Sequence, residues 1–195
     1  MRKTSLSVIS IYFAAIVVLA LLSACSVNVK KDKNDREKQV DITTPVGGIH
    51  VSKGASPQDT GIAVYPGAHL KQEDSDGTDK SANVNISGFG FGLKVVALEY
   101  ESKDSPDKVL AYYKDQLKKY GNVLECHTGH LDLHTDLDDK NRSSHELTCE
   151  GTNGVNVELK VGTKEDQHIV EVEPEGSGSK FALVYVRTHG KDAEI

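Results

Sequence analysis

A single stretch of this chain, Ser105 to Gly121, carries helical periodicity, and the segments around it read as short alternating runs. Val109, Leu110, Tyr113, Leu117 and Tyr120 recur at three-to-four spacing and form one apolar stripe. Ser105 suits an N-cap, Pro106 the first turn, and Asp107 complements the positive end of the helix dipole. Lys118 and Lys119 fall in the last turn, and Gly121 suits the C-cap. Strands are expected at Ala82 to Ser87, Leu93 to Glu101, Asn122 to Cys126, Glu146 to Glu150, Val155 to Val161, Ile169 to Val172 and Phe181 to Arg187. The turn residues Gly151 to Gly154 and the loop Pro174 to Ser179 punctuate the last of these. The expected architecture is α+β, with one main amphipathic helix packed on a largely antiparallel β-sheet. With no tryptophan and few aromatics, the core is expected to be modest.

The first residues read as an export signal. Arg2 and Lys3 give a positive start, and Ile9 to Leu22 is apolar apart from Ser10 and Tyr12. Leu22-Ser23-Ala24-Cys25 follows, and on these residues the chain resembles bacterial lipoproteins, whose lipobox has this pattern. The resemblance implies a diacylglycerol thioether on Cys25, cleavage after Ala24, and Cys25 as the new N-terminus. The same resemblance, with Ser26 rather than an aspartate after the cysteine, implies sorting to an outer membrane of a double-membraned cell, with the domain facing the periplasm. Two other readings stay open. Leu6 to Val27 approaches the ~20 residues that span a bilayer, so it could remain as an anchor. The cysteine could also be incidental to an ordinary secretory signal.

The expected organisation is a signal peptide over 1–24, a lipid-anchored flexible tether over 25–39, a β-hairpin and linker over 40–59, and the α+β domain over 60–195. The tether is polar and charged. In the hairpin, Val40 to Thr43 and Ile49 to Val51 alternate on either side of Pro45-Val46-Gly47-Gly48. Loss of Arg2 and Lys3 takes the formal charge from −6 to −8. So acidic a chain, with no basic patch, is not expected to bind nucleic acid.

If Cys25 carries lipid, Cys126 and Cys149 remain, and a pair in an exported domain is most simply a disulfide. The chain-entropy model gives about 3.4 kcal/mol for a loop of about 24 residues. A redox pair is the alternative, although no Cys-x-x-Cys spacing is present to lower a thiol pKa. Between the cysteines lie His127, His130, His134 and His145 with Asp132, Asp136, Asp138 and Asp139, a composition that can bind zinc, copper or nickel. Gly129, the aspartates and Asn141 make this a poor helix, so a solvated loop is the competing reading. Asp74 to Asp79 departs from a calcium loop, because its glycine falls at the fourth position and Asn85 stands where a glutamate should close it.

Gly88-Phe89-Gly90-Phe91-Gly92 precedes a strand, so it reads as a hairpin connection or bulge rather than a dinucleotide loop. Phe89 and Phe91 could there touch a partner or a bilayer. No nucleophile elbow, phosphate loop or His-Glu-x-x-His is present, so the chain is not expected to be an enzyme, and no cofactor is expected.

Val64-Tyr65-Pro66-Gly67-Ala68, and Asp104 to Leu110 leading into Tyr112-Tyr113, resemble bacterial envelope lipoproteins in which a Tyr-Pro-Gly-Ala segment precedes a strand and a helix begins near Ser-Pro-x-x-Val. The resemblance covers Thr60 to Cys126. Its motifs are a turn and a helix start, so it supports the fold and carries over no activity. The expected function is a membrane-anchored, non-catalytic binding or assembly domain with an envelope protein partner. The alternative is metal binding by the 127–145 loop.

Overall fold

The computed structural model describes residues 25–31, 38–72, 80–128, 145–149 and 154–190. Three strands open the chain: β1 (Ser26–Lys31), β2 (Lys38–Thr44) and β3 (Gly47–Ser52). A single helical turn, α1 (Pro57–Thr60), precedes β4 (His69–Leu70), β5 (Ser81–Gly88) and β6 (Phe91–Ser102). Helix α2 (Pro106–Leu117) continues into a 3-10 turn, Lys118–Tyr120. The last four strands are β7 (Leu124–Thr128), β8 (Asn156–Gly162), β9 (Asp166–Glu175) and β10 (Gly178–His189). All pair antiparallel in one sheet of order β1-β2-β3-β5-β6-β10-β9-β8-β7, with β4 also alongside β6.

This corrects the expected α+β class. Strands occupy 56% of the described residues, and the fold is mainly β. The helix lies where its stripe put it, but it is only 12 residues long and covers part of one face of a ten-stranded sheet. The underestimate has two sources. Ser26–Lys31, read as tether, pairs with β2 from Ser26–Thr43 to Lys31–Lys38. The later strands also run past their apolar runs, so Pro174 and Ser179, expected in a loop, face each other as a ladder pair. Backbone pairing holds polar residues such as Lys30 and Ser179 in register, and β1 carries only the short alternation Val27-Asn28-Val29.

Strands β6 and β10 pair from Gly92–His189 to Ser102–Ser179 and form the centre of the sheet. Their runs Val95-Val96-Ala97-Leu98 and Leu183-Val184-Tyr185-Val186 are apolar on both faces, as strands covered on both sides require. On one face Val109, Leu110, Tyr113 and Leu117 of α2 bury against Val96, Leu98, Leu159, Val170, Phe181 and Leu183. A second cluster, centred on Ile169, Val184 and Val186, occupies the other face. At α2 the Ser105 carbonyl accepts from the Lys108 and Val109 amides at 3.1 and 3.3 Å, while its hydroxyl makes no capping bond.

The helix and α1 both lie on the first face. Away from them, on β1, β2, β3 and β5, that face turns polar, with Asn28, Asp41, His50 and Asn85 in one register row. The opposite face of the same strands is apolar. The polarity of the two faces therefore inverts between the helix-covered half of the sheet and β1, β2, β3 and β5.

Candidate functional site

Residues two apart along a strand share a face, so the registers can be followed row by row. Val27, Ile42, Ile49, Ile86 and Leu93 form one row across five strands. Val29, Val40, Val51, Val84 and Val95 form the next. On the other side of the first row, at the end of the sheet, Thr44, Gly47, Gly88 and Phe91 are in register, and Cys25 sits one residue beyond the Ser26–Thr43 pair. The exposed Cys25 thiol therefore stands in line with two hairpin tips.

Those tips are joined. The Phe89 amide donates to the Val46 carbonyl at 3.3 Å, and the Thr44 hydroxyl to the Gly47 carbonyl at 2.9 Å. Gly47 is required there: a Cβ would stand 2.0 Å from the Ser87 carbonyl oxygen. Phe89 and Gly90 have φ of 52° and 80°, as in the two-residue turns that favour Asn-Gly. A phenylalanine in this left-handed region costs about 1–2 kcal/mol of backbone strain. Phe89 is nevertheless 79% exposed. A side chain that is apolar, strained and open to water has no account in folding alone.

Seven large apolar side chains are exposed among the described residues: Val27, Val29, Val46, Ile49, Phe89, Phe91 and Val155. All except Val155 belong to this corner. Phe89 and Phe91 were expected as contact residues. Val27, Val29, Val46 and Ile49 were not, although the alternation Val27-Asn28-Val29 was a usable signal inside a segment read as tether.

The opposite end of the sheet holds the Tyr65-Pro66-Gly67-Ala68 segment and the Ser105-Pro106 start of α2. Ala68 donates to the Tyr65 carbonyl at 3.1 Å across Pro66-Gly67, where Gly67 has φ of 78°, as a type II turn demands. The Tyr65 hydroxyl donates to Asp104 at 3.0 Å, and the Tyr113 hydroxyl accepts from the Tyr65 amide at 3.0 Å. Lys108 lies 2.8 Å from Asp104, and these Lys108 and Tyr65 bonds hold the Asp104 carboxyl below its usual range. The motifs thus latch the turn onto the start of α2. Beside the latch is an open cavity of about 510 Å³, lined by Pro66, Gly67, His69, Glu101, Asp104 and Glu175 among others.

Cys126 and Cys149 form a disulfide with Cα atoms 5.4 Å apart. Next to Cys126 in the ladder, Glu158 is buried and 3.2 Å from Lys160, and its burial raises the carboxyl pKa. Glu171, also buried, accepts from Asn156 at 3.3 Å and from Thr128 at 3.5 Å. Nothing in the sequence pattern pointed to these buried carboxylates. Of the four histidines considered as metal ligands, His127 projects from β7, and His145 pairs with Glu165 at 2.9 Å. His130 and His134, with the aspartates around them, lie outside the described residues, as does the Asp74 to Asp79 segment. Among the described residues no three His, Cys, Asp or Glu side chains group as metal ligands. No described helix is long and apolar enough to cross a membrane.

No family model, curated protein or solved structure matches this chain.

Proposed function

We propose that this chain is an envelope lipoprotein, lipid-anchored through Cys25, whose folded part is a non-catalytic binding or assembly domain. The lipobox-like Leu22-Ser23-Ala24-Cys25 motivates the anchor. The observation that supports the rest is the distribution of apolar surface. Of the seven large apolar side chains exposed among the described residues, six gather at the corner next to Cys25. Monomeric soluble domains scatter such residues singly, and gathered apolar surface marks a contact with a partner or a membrane.

The reading places the acylated cysteine facing the periplasm at an outer membrane. Its test is metabolic labelling with a fatty acid and fractionation of the expressing cell. The wild-type chain is expected to carry label and sediment with membranes, and Cys25→Ser to lose both. An unlabelled wild-type chain, or a labelled one found in the soluble fraction, would sink the anchor. The binding role is tested separately by cross-linking in intact envelopes, where repeated recovery of the chain alone would count against a protein partner.

A further inference from the structure

We infer that the apolar corner formed by the β2–β3 and β5–β6 tips and the adjoining face of β1 is a bilayer contact. It would hold the domain tip-down on the membrane that carries the Cys25 lipid. The inference rests on the lipoprotein reading and adds to it an orientation and a second, non-covalent contact. Three observations carry it. Cys25 lies one residue beyond the Ser26–Thr43 pair, in line with the Thr44, Gly47, Gly88 and Phe91 row, so acyl chains on its thiol would enter the bilayer beside the tips. The lateral reach from β1 to β6 is four strand spacings, about 19 Å, so both contacts can be made at once.

Second, neither tip contains an ionisable side chain, from Ile42 to Ile49 or from Ile86 to Leu93, in a chain of which 27% is charged. The first ionisable groups along β2, β3 and β6 are Asp41, His50 and Lys94, three residues from the end row. Three residues of strand are about 10 Å, close to the depth at which amphipathic elements enter the headgroup and acyl boundary. Third, Phe89 keeps an exposed aromatic ring at a left-handed position where glycine or asparagine fits better. A bilayer accounts for that ring, because its apolar interior takes up phenylalanine without a shaped pocket. A protein partner or a second copy of the chain would also cover apolar surface, but neither explains the alignment with Cys25.

The cavity beside Asp104 opens at the far end of the sheet, so in this orientation it points away from the membrane.

The chain contains no tryptophan, so one introduced residue reports alone. Full-length Phe89→Trp, Phe91→Trp and Val155→Trp chains are expressed, purified in detergent from the producing bacterium and checked for acylation of Cys25 by mass spectrometry. They are then reconstituted into vesicles of phosphatidylethanolamine and phosphatidylglycerol. Val155 is the control, because it is 80% exposed at the opposite end of the sheet. The expected result is a blue-shifted emission for Phe89→Trp and Phe91→Trp, quenched by lipids spin-labelled on the acyl chain, with Val155→Trp unshifted and unquenched. Emission like that of the Val155→Trp control in an acylated chain would overturn the inference. So would a blue shift without lipid quenching in a species of doubled mass, which would assign the corner to a second copy. If Cys25 is unmodified, the anchor fails by itself. Vesicles added to that same chain then decide the corner: lipid quenching at Phe89→Trp retains it, and none removes it.

Discussion

Phe89 sets two preferences against each other in one residue. Its backbone sits at φ 52°, where a Cβ meets the following carbonyl, and its ring gains nothing from the fold because it is exposed. Replacement by asparagine removes both penalties, since asparagine tolerates this region and suits water. Phe89→Asn is therefore expected to stabilise the isolated domain by about 1 kcal/mol in denaturant titration. A destabilised variant would mean that the ring is packed and would remove one support of the bilayer contact. The contrast with Tyr113 is instructive. That ring is fully buried, burial pushes its phenol well above the ordinary range, and its hydroxyl satisfies the Tyr65 amide. Both are aromatic residues, but Tyr113 lies in the helical stripe while Phe89 sits in a two-residue turn and belongs to no stripe.

Among elements, β7 depends most on a covalent tie. Among the described residues it is a five-residue edge strand paired with β8 alone, and Cys126 at its centre is bonded to Cys149. Closing that loop restricts the unfolded chain, so the paired substitution of Cys126 and Cys149 by serine is expected to cost about 3 kcal/mol, read as a lower denaturation midpoint. A loss under about 1 kcal/mol would mean that the unfolded chain keeps these residues close. At the other edge, β1 has no such tie. It is held by its ladder to β2, and its Val27 and Val29 side chains remain 66% and 57% exposed. The proposed bilayer contact would cover that face at the edge where the sheet is least protected.

For the whole molecule, His168 links stability to pH. Its ring stacks on Tyr120 at 3.8 Å and lies 5.0 Å from Tyr185, and its burial lowers the imidazole pKa from 6.5, with Asp166 opposing and Lys119 reinforcing the shift. The unfolded chain takes up this proton near 6.5, whereas the folded chain resists until a lower pH. Between the two values the unfolded state holds more protons, so this contribution is fully present above about 6.5 and is lost as pH falls through the folded pKa. Thermal midpoints are expected to drop over that window, and His168→Gln is expected to flatten the drop. An unchanged slope in the variant would assign the acid sensitivity to other groups.

What the sequence by itself determined is local. The helix over 106–117, its buried stripe, the Pro66-Gly67 turn and the pairing of Cys126 with Cys149 were legible because propensity, spacing and cysteine parity act over short stretches or by count. The hairpin of β2 and β3 was legible for the same reason. The tertiary structure decided what depends on strand order. The sheet's dominance over the helix was hidden because β1 has only the short alternation Val27-Asn28-Val29 before two lysines, and its place in the sheet rests on backbone pairing with β2. The apolar corner was hidden because Val27, Ile49 and Phe91 are far apart in sequence and belong to three different strands. Only the register, a property of five strands paired together, brings them onto one face beside Cys25.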